Sequence, residues 1–97
     1  PMSHAIPSRP QQYHERSHVA IVASRYNLAY VDSLLDAARD ELQAVAPNTT
    51  IAVYRVPGAF EIPVTVEKVL RSTETDAVIA LGVIIRGETE HGDLVGG

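Results

Sequence analysis

Three short stretches of the chain hold side chains that could do chemistry, and each follows an apolar run: Arg25-Tyr26-Asn27, Pro57-Gly58-Ala59-Phe60-Glu61, and the segment from Ile85 to Asp93. In the last, Gly87-Glu88-Thr89 offers backbone N–H groups, a flexible glycine and a hydroxyl. That combination can cradle a phosphate, above all where a helix begins. The same residues also make an ordinary strand-to-helix turn with Thr89 as its cap. The Gly-Lys-Thr ending of a Walker loop is absent. His91 stands among Glu88, Glu90 and Asp93. A histidine there can carry protons near neutral pH, and acidic neighbours favour its charged form. A solvent-facing loop histidine without a role fits the same pattern. Arg86 can neutralise a phosphate or pair with Glu88 or Glu61, and we read it as scaffold.

The other two stretches offer recognition rather than proton transfer. Phe60 is the sole phenylalanine and sits on a glycine turn. It can line a ligand pocket or pack beneath its own loop. Glu61 falls at a helix start, where the helix dipole favours a carboxylate, and it can accept hydrogen bonds from ligand hydroxyls. Tyr26 can stack on a flat ring or cover the sheet edge. His4, His14 and His18 lie in or beside the first seventeen residues and read as surface positions. The sequence is read as holding no metal site.

The elements that must position these residues are legible from hydropathy. His18 to Ser24 is an apolar run without alternation, the pattern of a strand buried on both faces of a parallel sheet. A helix follows, with Tyr30, Leu34, Ala38, Leu42 and Val45 at helical spacing and Val31 and Leu35 alongside. Pro47 and Asn48 end it. Thr50 to Val56 reads as a second strand and Pro57 to Phe60 as a turn. Glu61 to Leu70 reads as a second helix, whose proline fits the first turn. Asp76 to Ile84 reads as a third buried strand. The order β-α-β-α-β predicts parallel strands, right-handed crossovers and helices packed on the sheet. Ligands of such sheets bind outside the carboxyl ends of the strands, which is where all three stretches fall.

Pro1 to Ser17 forms a separate region, with Pro1, Pro7 and Pro10 arguing against a helix. It reads as a flexible N-terminal arm, either paired with a neighbouring subunit or a disordered tail, and residues 18–97 read as one partial α/β domain. Three strands and two helices cover a sheet poorly, so the pattern predicts a fragment or a chain completed by another segment. The 97 residues contain no cysteine, which rules out disulfides and thiolate metal sites within them. A net charge of −4 without a basic stripe argues against a nucleic-acid partner. No apolar run approaches the roughly 18 residues of a membrane span, and no secretory leader pattern opens the sequence. A soluble, cytoplasmic protein is expected.

Taken together and in order, three motifs are specific. Val22-Ala23-Ser24-Arg25-Tyr26-Asn27, then Val56-Pro57-Gly58-Ala59-Phe60-Glu61-Ile62-Pro63, then Ala80-Leu81-Gly82-Val83-Ile84-Ile85-Arg86-Gly87-Glu88-Thr89-Glu90-His91 resemble the 6,7-dimethyl-8-ribityllumazine synthase family from about His18 to Asp93. The resemblance implies a flavodoxin-like three-layer α/β/α sandwich with a parallel sheet, here apparently truncated after the third core strand. It implies condensation of 5-amino-6-(D-ribitylamino)uracil with 3,4-dihydroxy-2-butanone 4-phosphate in riboflavin biosynthesis, with no cofactor and no metal. It also implies a homo-oligomer built from pentamers, in some members a decamer or a sixty-subunit icosahedral capsid, with each site between adjacent subunits.

Carried over by position, the resemblance assigns Tyr26, where the family usually has Phe, to stacking on the pyrimidine. Ala59, Phe60 and Glu61 match the segment that holds the ribityl chain and ring edge. Val83, Ile84 and Ile85 match the strand end that meets the pyrimidine, Glu88 and Thr89 the phosphate-binding pair, and His91 the general acid/base. Two departures stand out. Gly92 replaces the usual aromatic after the histidine. The family's further strand and helices, which bring a phosphate-binding arginine and an aromatic wall for the neighbouring site, have no counterpart in these residues. The competing readings are an assembly-forming shell fragment, a non-catalytic lumazine or flavin binder on the same fold, and a generic phosphate-binding flavodoxin-like protein.

Overall fold

The computed structural model describes residues 12–84. Among them the elements alternate as β1 (Ser17–Ser24), α1 (Leu28–Val45), β2 (Thr49–Val56), α2 (Ile62–Ser72) and β3 (Ala77–Leu81), with a short 3-10 turn, Ala59–Glu61, before α2. The strands form one parallel sheet in the order β2-β1-β3. That is the α/β class expected, and its order is the opening of a flavodoxin-like doubly wound sheet. The chain steps from β1 outward to β2, then back across β1 to β3. With right-handed crossovers, two steps in opposite directions put their helices on opposite faces.

The burial of β1 follows from that arrangement. It pairs with β2 from Ser17↔Thr49 to Ser24↔Val56 and with β3 from Val19↔Ala77 to Ala23↔Leu81. Both helices pack on it. Ile21, Val22, Ala23 and Ser24 are consequently without solvent exposure, and Val19 and Ala20 are buried with them. A run without alternation is what a strand covered on both faces requires. At the opposite, amino edge, Ser17 and Thr49 share a hydroxyl hydrogen bond of 2.8 Å. There the Asp76 carboxylate also accepts the His18 N–H at 2.7 Å, so side chains reinforce the register of both pairings.

Two expectations about the elements need correction. The third strand ends at Leu81 rather than Ile84, and its residues are half-buried or exposed rather than buried. Its only strand neighbour among the described residues is β1, so its outer edge and much of its faces lack cover. The core stripe of α1 is also displaced. Val31 and Leu35 are its buried residues, with Ala38, Leu42 and Val45 half-buried in line with them, while Tyr30 and Leu34 face outward. Spacings of 4, 3, 4 and 3 from Val31 keep one face of a helix toward the sheet, and a residue one position earlier lies about 100° around it.

The C-terminus of α1 is completed from outside. Gln12 Nε2 donates to the Ala44 carbonyl at 3.0 Å and the Tyr13 N–H to the Val45 carbonyl at 2.6 Å. Asn48 Nδ2 in turn holds the His14 carbonyl at 2.6 Å. Gln12 and Tyr13 thus supply donors to carbonyls that have no partner inside the helix. Pro63 lies in the first turn of α2, where its missing N–H costs nothing. No described helix is long and apolar enough to cross a membrane.

Candidate functional site at the carboxyl edge of the sheet

Three chain segments leave the sheet at one edge. After β1, the Arg25 N–H still donates to the Val56 carbonyl at 2.7 Å, extending the pairing one residue past the strands. Asn27 then takes a left-handed conformation, φ 58° and ψ 57°. Asparagine is among the few side chains that tolerate it. The Asn27 carbonyl receives the Tyr30 and Val31 N–H groups at 3.1 and 3.2 Å and starts α1. Tyr26 sits at the tip of this turn with its ring about half exposed.

The turn after β2 is closed by its own residues. The Glu61 N–H donates to the Gly58 carbonyl at 3.2 Å, and Glu61 Oε1 accepts the Gly58 N–H at 2.9 Å. Glu61 was expected at the helix start and is there, but one carboxylate oxygen is spent on the turn. Oε2 retains its capacity to accept from a ligand hydroxyl. Phe60, in the middle of the turn, is 61% exposed, so its ring is not packed beneath the loop.

The third segment begins with Gly82, and here the three segments meet. A Cβ placed on Gly82 would lie 3.0 Å from Ile62 Cδ1, 3.8 Å from Ala59 Cβ and 3.8 Å from Ser24 Oγ. The end of β1, the turn after β2 and the end of β3 therefore converge on a glycine whose missing side chain leaves room for their close approach. Ser24 Oγ is buried there and has no hydrogen-bond partner among the described residues. Val83 is half-buried and Ile84 exposed beyond it. Ile85, Glu88, Thr89 and His91, with Arg86 and Gly92, lie outside the described residues.

Two residues of this edge were not singled out by their types. Ser24 is one, a polar residue closing an apolar run. Arg55 is the other, the sole charge in the apolar strand β2. Its guanidinium reaches Asp32 Oδ1 at 2.8 Å and the Ser24 carbonyl at 3.0 Å. A lone arginine in a strand of apolar residues is a signal for a tertiary partner, because burial of an unpaired charge is costly. No group of three or more acidic or histidine side chains among the described residues could hold a metal ion. Among the described residues, the titrating group with a shifted pKa, Tyr13, lies away from this edge. The Glu15 carboxylate, 2.7 Å from the Tyr13 hydroxyl, raises the Tyr13 pKa by accepting its proton in a hydrogen bond and by repelling the phenolate.

The comparison with known proteins bears on the same three segments. A family model described as 6,7-dimethyl-8-ribityllumazine synthase matches residues 16–97. The chain belongs to the lumazine synthase family. It is similar to the 6,7-dimethyl-8-ribityllumazine synthase of Desulfotalea psychrophila (strain LSv54 / DSM 12343). The two are 48% identical over 77 residues, a match covering 78% of this chain and 50% of the relative. The chain thus spans about half the length of that curated relative. The span matched by the family model contains all three segments of the carboxyl edge, so the lumazine synthase resemblance of the motifs and the convergence at Gly82 concern the same residues.

Proposed function

We propose that this chain carries one side of a lumazine-forming site. The reaction is condensation of 5-amino-6-(D-ribitylamino)uracil with 3,4-dihydroxy-2-butanone 4-phosphate to 6,7-dimethyl-8-ribityllumazine, in riboflavin biosynthesis. The observation that carries the reading is the family match over residues 16–97. The meeting of the three motif-bearing segments at Gly82 supports it. Tyr26 stacks on the pyrimidine, while Ala59, Phe60 and Glu61 hold the ribityl chain and ring edge. Val83, Ile84 and Ile85 meet the ring along the strand end. Glu88 and Thr89 bind the phosphate, and His91 moves protons.

The chemistry suits these parts. The pyrimidine amine attacks the ketone to give an imine with loss of water. Inorganic phosphate then leaves, and the second amine closes the ring with loss of a further water. His91 serves the proton transfers of imine formation and elimination. Holding the two substrates in register supplies much of the acceleration, since positioning alone is worth many powers of ten in favourable cases. Replacing His91 by alanine is therefore expected to slow turnover by about 10²-fold rather than abolish it. Unchanged turnover would remove His91 from this role.

The protein works, in this reading, in the cytoplasm as a homo-oligomer built from pentamers, with a site shared between neighbours. Outward-facing apolar residues such as Tyr30 and Leu34 are in keeping with subunit contacts. The test is to mix the chain with both substrates and follow the absorbance of the lumazine product. Product formation supports the proposal; absence of both turnover and pyrimidine binding overturns it. The match to only half of the relative favours one second reading, a lumazine binder without turnover. Binding of 6,7-dimethyl-8-ribityllumazine without product formation would select it.

A further inference from the structure

The turn that carries Tyr26 is weakly specified by its own residues. Helix α1 starts without a side-chain cap and without an acidic residue in its first turn. Asn27 bends the chain through a left-handed conformation that most side chains avoid. Local hydrogen bonds tie Asn27 to Tyr30 and Val31, but they do not tie the turn to the sheet. Beyond the backbone bond from the Arg25 N–H to the Val56 carbonyl, both flanks of the turn are gripped by one distant side chain. Arg55 stands opposite Ala23 in the β1–β2 register. Its Nη2 donates to the carbonyl of Ser24, the last residue of β1, at 3.0 Å. Its Nη1 donates to Asp32 Oδ1, in α1, at 2.8 Å. Residues 25–31, with Tyr26 among them, lie between these two anchors.

The geometry points to Arg55 as a positioning residue for Tyr26: its guanidinium clamps the end of β1 and the start of α1, and so aims the aromatic ring that lies between them. Arginine suits the task because its planar fork presents two N–H groups in fixed relation, whereas a lysine ammonium is a single point on a flexible stem. The clamp's contribution to global stability is small. Asp32 is 49% exposed and the Arg55 side chain 22% exposed, so solvent screens much of the ion pair. Its effect therefore falls on the placement of one ring rather than on folding. This inference rests on the assignment of Tyr26 to the pyrimidine, and the experiment separates the two.

The experiment compares the full chain with its Arg55→Met, Arg55→Lys and Tyr26→Ala variants and the Arg55→Met/Tyr26→Ala double variant. Affinity for 6,7-dimethyl-8-ribityllumazine is measured by equilibrium dialysis, and backbone amide exchange is followed at residues 25–28 and 20–22. Arg55→Met is expected to weaken binding about tenfold, because small misplacements of a positioning group are costly. On the Tyr26→Ala background it should weaken binding less than about twofold, since a residue that acts through another is not additive with it. Arg55→Lys should recover only part of the loss. Exchange should accelerate at residues 25–28 and stay unchanged at 20–22. Full additivity with Tyr26→Ala, or wild-type binding by Arg55→Met, overturns the inference and leaves the assignment of the site intact. If the unaltered chain binds no lumazine, the pyrimidine assignment fails, and the exchange of residues 25–28 alone decides whether Arg55 holds the turn. Should Arg55→Met fail to fold, Asp32→Ala cuts one arm of the clamp and is judged by the same exchange pattern.

Discussion

The two turns at the carboxyl edge are built on opposite principles. The turn after β2 closes within four residues, with Gly58 and Glu61 exchanging two hydrogen bonds, backbone to backbone and backbone to carboxylate. A proline then starts the helix. The turn after β1 has no such closure. It runs through a left-handed asparagine and depends on the Val56 carbonyl and the Arg55 side chain, both about thirty residues further along the chain. One turn can form as soon as its own segment does. The other exists only once β1 and β2 are paired. The same edge thus combines a self-contained turn with one whose shape is on loan from the sheet.

That contrast can be tested from its largest consequence down. Ile21→Ala removes a fully buried side chain from the central strand. It should cost about 2–5 kcal/mol in urea unfolding, and the turn after β1 should be lost with the sheet in one transition because its anchors lie on β2. A turn after β1 that outlasts the sheet would show that it does not depend on those anchors. Gly82→Ala puts a methyl 3.0 Å from Ile62 Cδ1. It should destabilise by about 1–3 kcal/mol, with Ile62→Val in the same chain recovering much of the loss by thermal melting. No recovery would show that the crowding lies elsewhere.

Smaller effects sharpen the contrast further. Glu61→Ala should cost about 1 kcal/mol and speed amide exchange at Gly58 while leaving Arg25 unchanged, since the contact it removes is local. Matching acceleration at Arg25 would couple the two turns directly. Ser24→Ala deletes a buried hydroxyl that has no partner among the described residues. Removing an unsatisfied polar group should leave the melting temperature unchanged or raise it, by an amount equivalent to at most about 1 kcal/mol. A clear fall would imply a hydrogen bond to a bound water. The exposed Glu67–Arg71 pair, one helical turn apart on α2, should be worth no more than about 0.5 kcal/mol when either partner is made alanine.

The alternation of apolar runs and helical stripes was enough to place all five regular elements, because burial on a sheet demands period-two or continuous apolar residues and a helix face demands period 3.6. The missing alternation in His18 to Ser24 announced a strand buried on both faces, and β1 is buried so. Exact faces were less legible. Tyr30 and Leu34 have the spacing of a core stripe, yet Val31 and Leu35 are the residues turned inward. Aliphatic neighbours one position apart cannot be ranked without knowing where the sheet lies. The third strand was overextended for a related reason. Gly82-Val83-Ile84 is as apolar as a strand, but strand identity requires a paired neighbour, and the pairing with β1 stops at Leu81.

By itself, the sequence determined the α/β class, the parallel order of elements and the placing of Pro63 in a first helical turn. Each of these rests on local propensity or on periodicity, which a chain carries before it folds. Only the tertiary structure decided that β1 lies between β2 and β3, that Ser24, Ala59, Ile62 and Gly82 meet, and that Arg55 reaches across to Ser24 and Asp32. Those contacts join residues far apart in sequence. Their partners are chosen by how the helices and strands pack, and no local spacing records that choice.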